Sequence, residues 1–167
     1  RSTLHRSSAA SDVYKRQEQG SVDFPALQRM VEHQIKGGTA FLVVLGTTGE
    51  TPTLSAAEQR RVVDFVLEVN AGRLPVVVGV TGNNTAELCE RIHNWDVSGV
   101  AAFLVATPAY NKPGQEGLKA HYTTVADAAQ RPVILYNVPG RTSCNMSAAT
   151  TLLSLIHISE PTRPSSI

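Results

Sequence analysis

The stretch TAFLVVLGTTGETPTLSAAE, residues 39–58, decides the fold. Thr39–Leu45 is a short, unbroken apolar run rich in β-branched residues, the pattern of a strand buried on both faces, as in a parallel sheet. Gly46-Thr47-Thr48-Gly49-Glu50 then breaks the run with a polar turn. Ser55-Ala56-Ala57-Glu58 is a capping box, a hydroxyl and a carboxylate at the spacing that satisfies two free N–H groups of a starting helix. Val62, Val63, Phe65, Val66 and Val69 carry that helix to Asn70 and Gly72. Strand, polar turn and helix follow one another within one short segment, which is a βα unit.

Outward from this unit the same alternation recurs. Ala26, Leu27, Met30, Val31 and Ile35 place apolar groups at helical spacing, and Gly37-Gly38 stops that helix. Pro75–Val80 reads as a strand, and Asn84 or Thr85 opens a helix that should end near Val97-Ser98-Gly99. Val100–Ala106 is a strand, Gly114–Ala129 a helix, Arg131–Tyr136 a strand, and Ser147–Leu153 the start of one more helix. Strands beginning near residues 39, 75, 100 and 132 with helices between them predict an α/β fold with a parallel sheet and crossover helices. An open doubly wound sheet and part of a barrel both fit this alternation.

Composition sets the class. The 167 residues are 42% hydrophobic and 17% charged, which suits one globular domain. The formal net charge of +1 supplies no basic field for nucleic acid. No apolar run reaches the ~18 residues of a membrane span. Cys89 and Cys144 lack CxxC spacing and read as reduced thiols of a cytoplasmic protein. The two ends differ from the body. SDVYKRQ (11–17) and SLIHISEPTRP (154–164) resemble translated adapter DNA. Residues 1–17 and 154–167 are therefore expected to be a non-native or disordered leader and tail, with the domain proper at 18–153.

In either architecture a ligand lies at the carboxyl ends of the strands, and the unusual residues gather there. The turns are GTTGE (46–50), TGNNT (81–85), TPAYNKP (107–113) and YNVPGRT (136–142). In the first, Gly46 and Gly49 permit a tight turn, and the hydroxyls of Thr47 and Thr48 with nearby N–H groups suit a carboxylate. A Gly-rich connection whose threonines only cap turns is equally compatible. The turn is neither G-x-x-x-x-G-K-[ST] nor G-x-G-x-x-G, which counts against a nucleotide. Tyr136 ends a strand, so its phenol can face a cleft; with an ordinary value near ~10 it relays protons only through hydrogen-bonded partners, for which Thr47 and Tyr110 are available. Packing is the commoner role for a single tyrosine. Arg141 follows a Pro-Gly turn and offers a planar fork to a carboxylate, although arginines more often sit at the surface.

Taken together, GTTGE, TPAYNKP and YNVPGRT, in this order and spacing, with LPVVVGVTGNNTAE (74–87) between them, resemble the signature segments of the dihydrodipicolinate synthase family. The resemblance covers about Glu18 to Leu153. It implies a partial (β/α)₈ barrel of about four strands and an enzyme that joins pyruvate to aspartate semialdehyde through a lysine Schiff base, toward diaminopimelate and lysine. No separate cofactor and no metal are implied, only the covalent pyruvate–lysine imine. By motif, Thr47, Tyr110 and Tyr136 match the catalytic hydroxyl relay, with Tyr110 reaching a neighbouring subunit of a homotetramer, a dimer of dimers. Thr48 matches the residue on the pyruvate carboxylate, with Gly46 and Gly49 beside it, and Arg141 matches the receiver of the aldehyde's carboxylate. Asn83 and Glu87 fall where some members bind lysine as an inhibitor, but Ala56 and Gln59 stand where histidines can occur in that site.

One departure matters. The family's Schiff-base lysine lies on the next strand, and Lys15, Lys36, Lys112 and Lys119 do not match it, so this chain is expected to be inactive alone. The alternatives are another pyruvate-dependent aldolase, of the 2-keto-3-deoxy sugar acid or N-acetylneuraminate lyase type, or a non-catalytic half-barrel that binds small carboxylates.

Overall fold

The computed structural model of the chain describes residues 21–158. The expected leader and the tail beyond Ile158 lie outside the described residues. In chain order the elements are α1 (Phe24–Lys36), β1 (Leu42–Val44), α2 (Ala56–Asn70), β2 (Val76–Gly79), α3 (Thr85–His93), β3 (Val100–Ala106), α4 (Gln115–Ala128), β4 (Val133–Tyr136), α5 (Pro139–Thr142) and α6 (Ala148–Ile158). The sheet order is β1-β2-β3-β4, with β1–β2 and β2–β3 parallel. Two compact units share these elements: one runs up to Val80 and takes in Val97–Leu104, and the other comprises Thr81–Asp96 and the chain from Val105 onward.

In the first unit, local chemistry sets the helix ends. Asp23 caps α1, accepting from the Ala26 N–H at 2.9 Å. Gly38, at φ +74°, reverses the chain so that its own N–H reaches Ile35 O and the Thr39 N–H reaches Gln34 O, a Schellman end. This capping occupies Thr39. The first ladder bond runs from Leu42 N to Pro75 O, so β1 starts three residues later than the apolar run predicts. The Ser55 box forms in full: Glu58 N donates to Ser55 Oγ at 3.3 Å, and Ser55 N donates to Glu58 Oε2 at 2.8 Å.

Every residue of β1 and β2 is buried, as the unbroken apolar runs require. Val43, Val77 and Ala102 lie in register on one face, with Phe41 and Leu104 packed against them. Leu42, Val44, Val76, Val78 and Phe103 occupy the opposite face and are buried. Each such valine contributes about 1.5–3 kcal/mol of transfer free energy. A bulge at Val76/Val77 skips Ala101, which is exposed. The expectation that α3 continues to residue 97 is wrong. Asn94 ends it, and Val97–Val100 form a turn closed by Val100 N to Val97 O at 3.0 Å, with Gly99 at φ +76°. That is the turn geometry in which glycine at the third position is required.

Gly79 is the tightest point of this unit. A Cβ there would fall against the carbonyl of Leu45, nearer than side chains are ever found, and near the N–H of Gly46. Leu45 itself is left-handed at φ +59°. The backbone leaving β1 therefore turns directly over β2.

In the second unit, α4 packs on α3 and on α6. Tyr122 is fully buried and donates to Val105 O at 3.2 Å; burial drives its phenol well above the ordinary range. His121 is also buried. Its Nδ1 pairs with Thr85 Oγ1 at 2.8 Å, while its Nε2 has no hydrogen-bond partner among the described residues. Burial lowers its pKa, because the charged ring would lack solvent. β4 is less covered than β1 and β2: Val133 is buried but Ile134 is 41% exposed. Pro132 lacks the N–H for a ladder bond, and β4 starts after it.

Two measurements check these contacts. Gly79→Ala should lower the urea midpoint by the equivalent of about 1–3 kcal/mol. Gly82→Ala, where the added carbon meets only Leu88 Cδ1 at 3.8 Å, should change little; equal losses would refute the close-approach argument. For His121, both states hold a neutral ring above the ordinary value of about 6.5. Below it the unfolded chain protonates first, so stability falls as pH drops toward the depressed folded-state value. Between roughly pH 7.5 and pH 5.5 the chain should lose more stability than His121→Asn, whose carboxamide still offers Thr85 a partner; parallel losses would assign the slope elsewhere.

Candidate active site

The first unit contributes the turn after β1. Thr47–Gly49 form a single 3₁₀ turn, closed by Gly49 N to Gly46 O at 3.0 Å. Glu50 then takes a left-handed conformation at φ 50°. Gly46 and Gly49 are buried, and Thr47 is exposed. Two groups behind the turn fix it. Thr51 Oγ1 donates to Gly46 O at 3.2 Å, and the Gln59 carboxamide from α2 donates to Leu54 O at 3.0 Å and Thr51 O at 3.3 Å. Gln59, noted in the sequence only as a replacement for histidine, thus braces the loop that carries Thr47 and Thr48.

The second unit contributes the turns after β3 and β4. Tyr136 closes β4 and its carbonyl accepts from Thr107 N at 3.2 Å, which ties the two strand ends together. The buried hydroxyl of Thr107 donates to that of Thr142 at 3.1 Å. Thr142 in turn lies 3.1 Å from Val138 O and 3.0 Å from Cys144 O. Asn137 accepts from Met146 N at 3.1 Å and donates to Asn145 Oδ1 at 2.9 Å. Gln115 at the start of α4 accepts from Ser147 N at 2.9 Å and from Thr150 Oγ1 at 2.6 Å. These polar side chains hold the segment 136–147 in place. The Pro-Gly sequence is a helical turn, α5, with proline in the first turn, and it presents Arg141 to solvent.

Tyr110 lies after β3 and is 88% exposed. Its backbone is left-handed at φ +59°, as is that of Lys112 at φ +43°. Within this unit Tyr110 and Tyr136 both stand at carboxyl ends of strands, yet their hydroxyls form no hydrogen bond among the described residues. Asn83, after β2, accepts from Ala109 N at 2.9 Å. Glu87 is exposed in the first turn of α3, where a carboxylate suits the helix dipole. Asn84 caps that helix through Ala86 N at 3.1 Å. Sequence reading singled out neither Thr142, Asn137 as a brace, nor Gln115. Their shared trait is a polar side chain beside a strand end or helix start, which periodicity does not register. Among the described residues, no three His, Cys, Asp or Glu side chains gather to hold a metal, and no helix is long and apolar enough to cross a membrane.

Comparison with known proteins bears on the family and the fold. Residues 8–159 match the Dihydrodipicolinate synthetase family. The chain is 51% identical over 135 residues to the 4-hydroxy-tetrahydrodipicolinate synthase of Phocaeicola vulgatus, covering 81% of this chain and 46% of that protein. It is 52% identical over 136 residues to that of Koribacter versatilis, covering 81% and 45%. Among solved structures it superposes on a chloride-inhibited dihydrodipicolinate synthase from Acinetobacter baumannii complexed with pyruvate, with a TM-score of 0.80, 41% identity, and 84% of this chain against 48% of that one. It also superposes on the 4-hydroxy-tetrahydrodipicolinate synthase of Methylacidiphilum fumariolicum, with a TM-score of 0.82, 33% identity, and 87% against 48%. The chain spans about half the length of these relatives. The fold is α/β, four strands and crossover helices of a partial (β/α)₈ barrel. On the match of its sequence from residue 8 to residue 159, the chain belongs to the dihydrodipicolinate synthetase family.

Proposed function

We propose that this chain carries the substrate-handling turns of a 4-hydroxy-tetrahydrodipicolinate synthase, a lyase that joins pyruvate to L-aspartate 4-semialdehyde in diaminopimelate and lysine biosynthesis. The supporting observation is 51% identity to such a synthase, with GTTGE, TPAYNKP and YNVPGRT each following the carboxyl end of a strand. In this reading Thr47, Tyr110 and Tyr136 move protons between the pyruvate methyl group, the amine that binds its keto carbon, and the aldehyde oxygen. Thr48, with Gly46 and Gly49 beside it in the turn, holds the pyruvate carboxylate. Arg141, exposed on α5, receives the carboxylate of the semialdehyde. The exposure of Tyr110 suits delivery to the site of a second copy in a homotetramer. A biosynthetic role of this kind belongs in the cytoplasm.

The amine is the element this reading takes from elsewhere. Lys36 ends α1, Lys119 lies within α4, and Lys112 is exposed in the loop after β3. None of these three stands at a strand end in an apolar pocket, the setting that makes a lysine nucleophilic near neutrality, and Lys15 lies outside the described residues. The chain alone should therefore form no imine.

Borohydride trapping with pyruvate tests this. Mass spectrometry should find no adduct on this chain and one adduct on a polypeptide extended through the remaining barrel; trapping on this chain would overturn the assignment of the amine. In the extended polypeptide, Thr47→Val and Tyr136→Phe should each lower the condensation rate about 100-fold or more, the usual worth of a positioned proton-transfer group. Faster turnover with a 2-keto-3-deoxy sugar acid than with the semialdehyde would move the protein to another aldolase.

A further inference from the structure

The segment Pro108–Pro113 holds an unusual backbone arrangement. Asn111 N donates to Ala109 O across Tyr110, whose φ is +59°. This is a γ-turn of the rare positive-φ hand, with a bulky aromatic at its centre. Lys112 is left-handed as well. The one asparagine in the segment, the residue best suited to that region, is not the residue that adopts it. Such a conformation persists only when the surroundings over-determine it.

Ala109 is held from its other side. Its N–H donates to Asn83 Oδ1 at 2.9 Å, across 26 residues of sequence. A backbone N–H requires an acceptor, so the carboxamide oxygen, and not its nitrogen, faces Ala109. We propose that Asn83 is a positioning residue, whose carboxamide clamps the Ala109 N–H and thereby locks the γ-turn that projects Tyr110 outward. Only the use made of a projected Tyr110 rests on the synthase reading; the clamp does not.

The test uses the full chain, labelled for nuclear magnetic resonance. In Asn83→Leu the Ala109 amide should exchange at least about fivefold faster, the loss of one modest hydrogen bond. The one-bond Cα–Hα coupling of Tyr110 should shift from its positive-φ value toward the ordinary one. Amides of α3 and α4 should keep their protection. Asn83→Asp, which retains an acceptor oxygen, should preserve both signals. If Tyr110 keeps its left-handed backbone in Asn83→Leu, if protection in α3 falls together with that of Ala109, or if Asn83→Asp loses both signals, the clamp is wrong. A failed pyruvate-trapping experiment would leave these readouts untouched, so the two proposals fail separately.

Discussion

The chain leaving β1 has to turn over β2 at almost no distance, and Gly79 is what allows it. A side chain at that position would meet the Leu45 carbonyl, so the absence of one sets where Gly46 begins and how low the GTTGE turn lies on the sheet. Leu45 takes a left-handed backbone in the same place. The cost is met by burial on both faces of β1 and β2, whose valines fill the space above and below. The turn is then fixed from behind by Thr51 and Gln59, leaving Thr47 exposed.

The second unit uses a different device for the same purpose. Its turns are held by polar side chains that bond to backbone, not by close packing. Thr142, Asn137 and Gln115 each satisfy two or more groups in the segment that runs from the end of β4 to α6. Backbone polar groups away from regular structure need partners, and here threonine, asparagine and glutamine supply them. This gives a practical distinction among the polar residues of the turns. Those whose side chains are spent on the backbone are scaffold, while Tyr110 and Arg141 are left exposed.

Much of the fold was legible because its signals are local. The Ser55 box, the glycine stop after α1, the Asn84 cap and the apolar strands each depend on neighbours a few residues away. The end of α3 was misread because Gly99 serves a turn into β3, and a glycine there looks like a helix stop. The starts of β1 and β4 were read too early because capping and Pro132 remove residues from the ladder, whereas β3 begins at Val100 as read. For the site, the turns that hold Thr47, Tyr110, Tyr136 and Arg141 were found from composition and resemblance. The bond from Ala109 to Asn83 was not, because a side chain that reaches across the chain leaves no period. The left-handed backbone of Tyr110 was equally silent, since neither glycine nor asparagine marks it.

The order β1-β2-β3-β4 has a bearing on how the chain is made. Each strand pairs with the one synthesised just before it, across a single intervening helix, the crossover that a parallel pair requires. Strands thus become able to pair in the order in which they are synthesised, none waiting for a later strand to take a place between two earlier ones. β4, the last strand in this order, is also the least covered, and Ile134 leaves a branched apolar side chain open to solvent there.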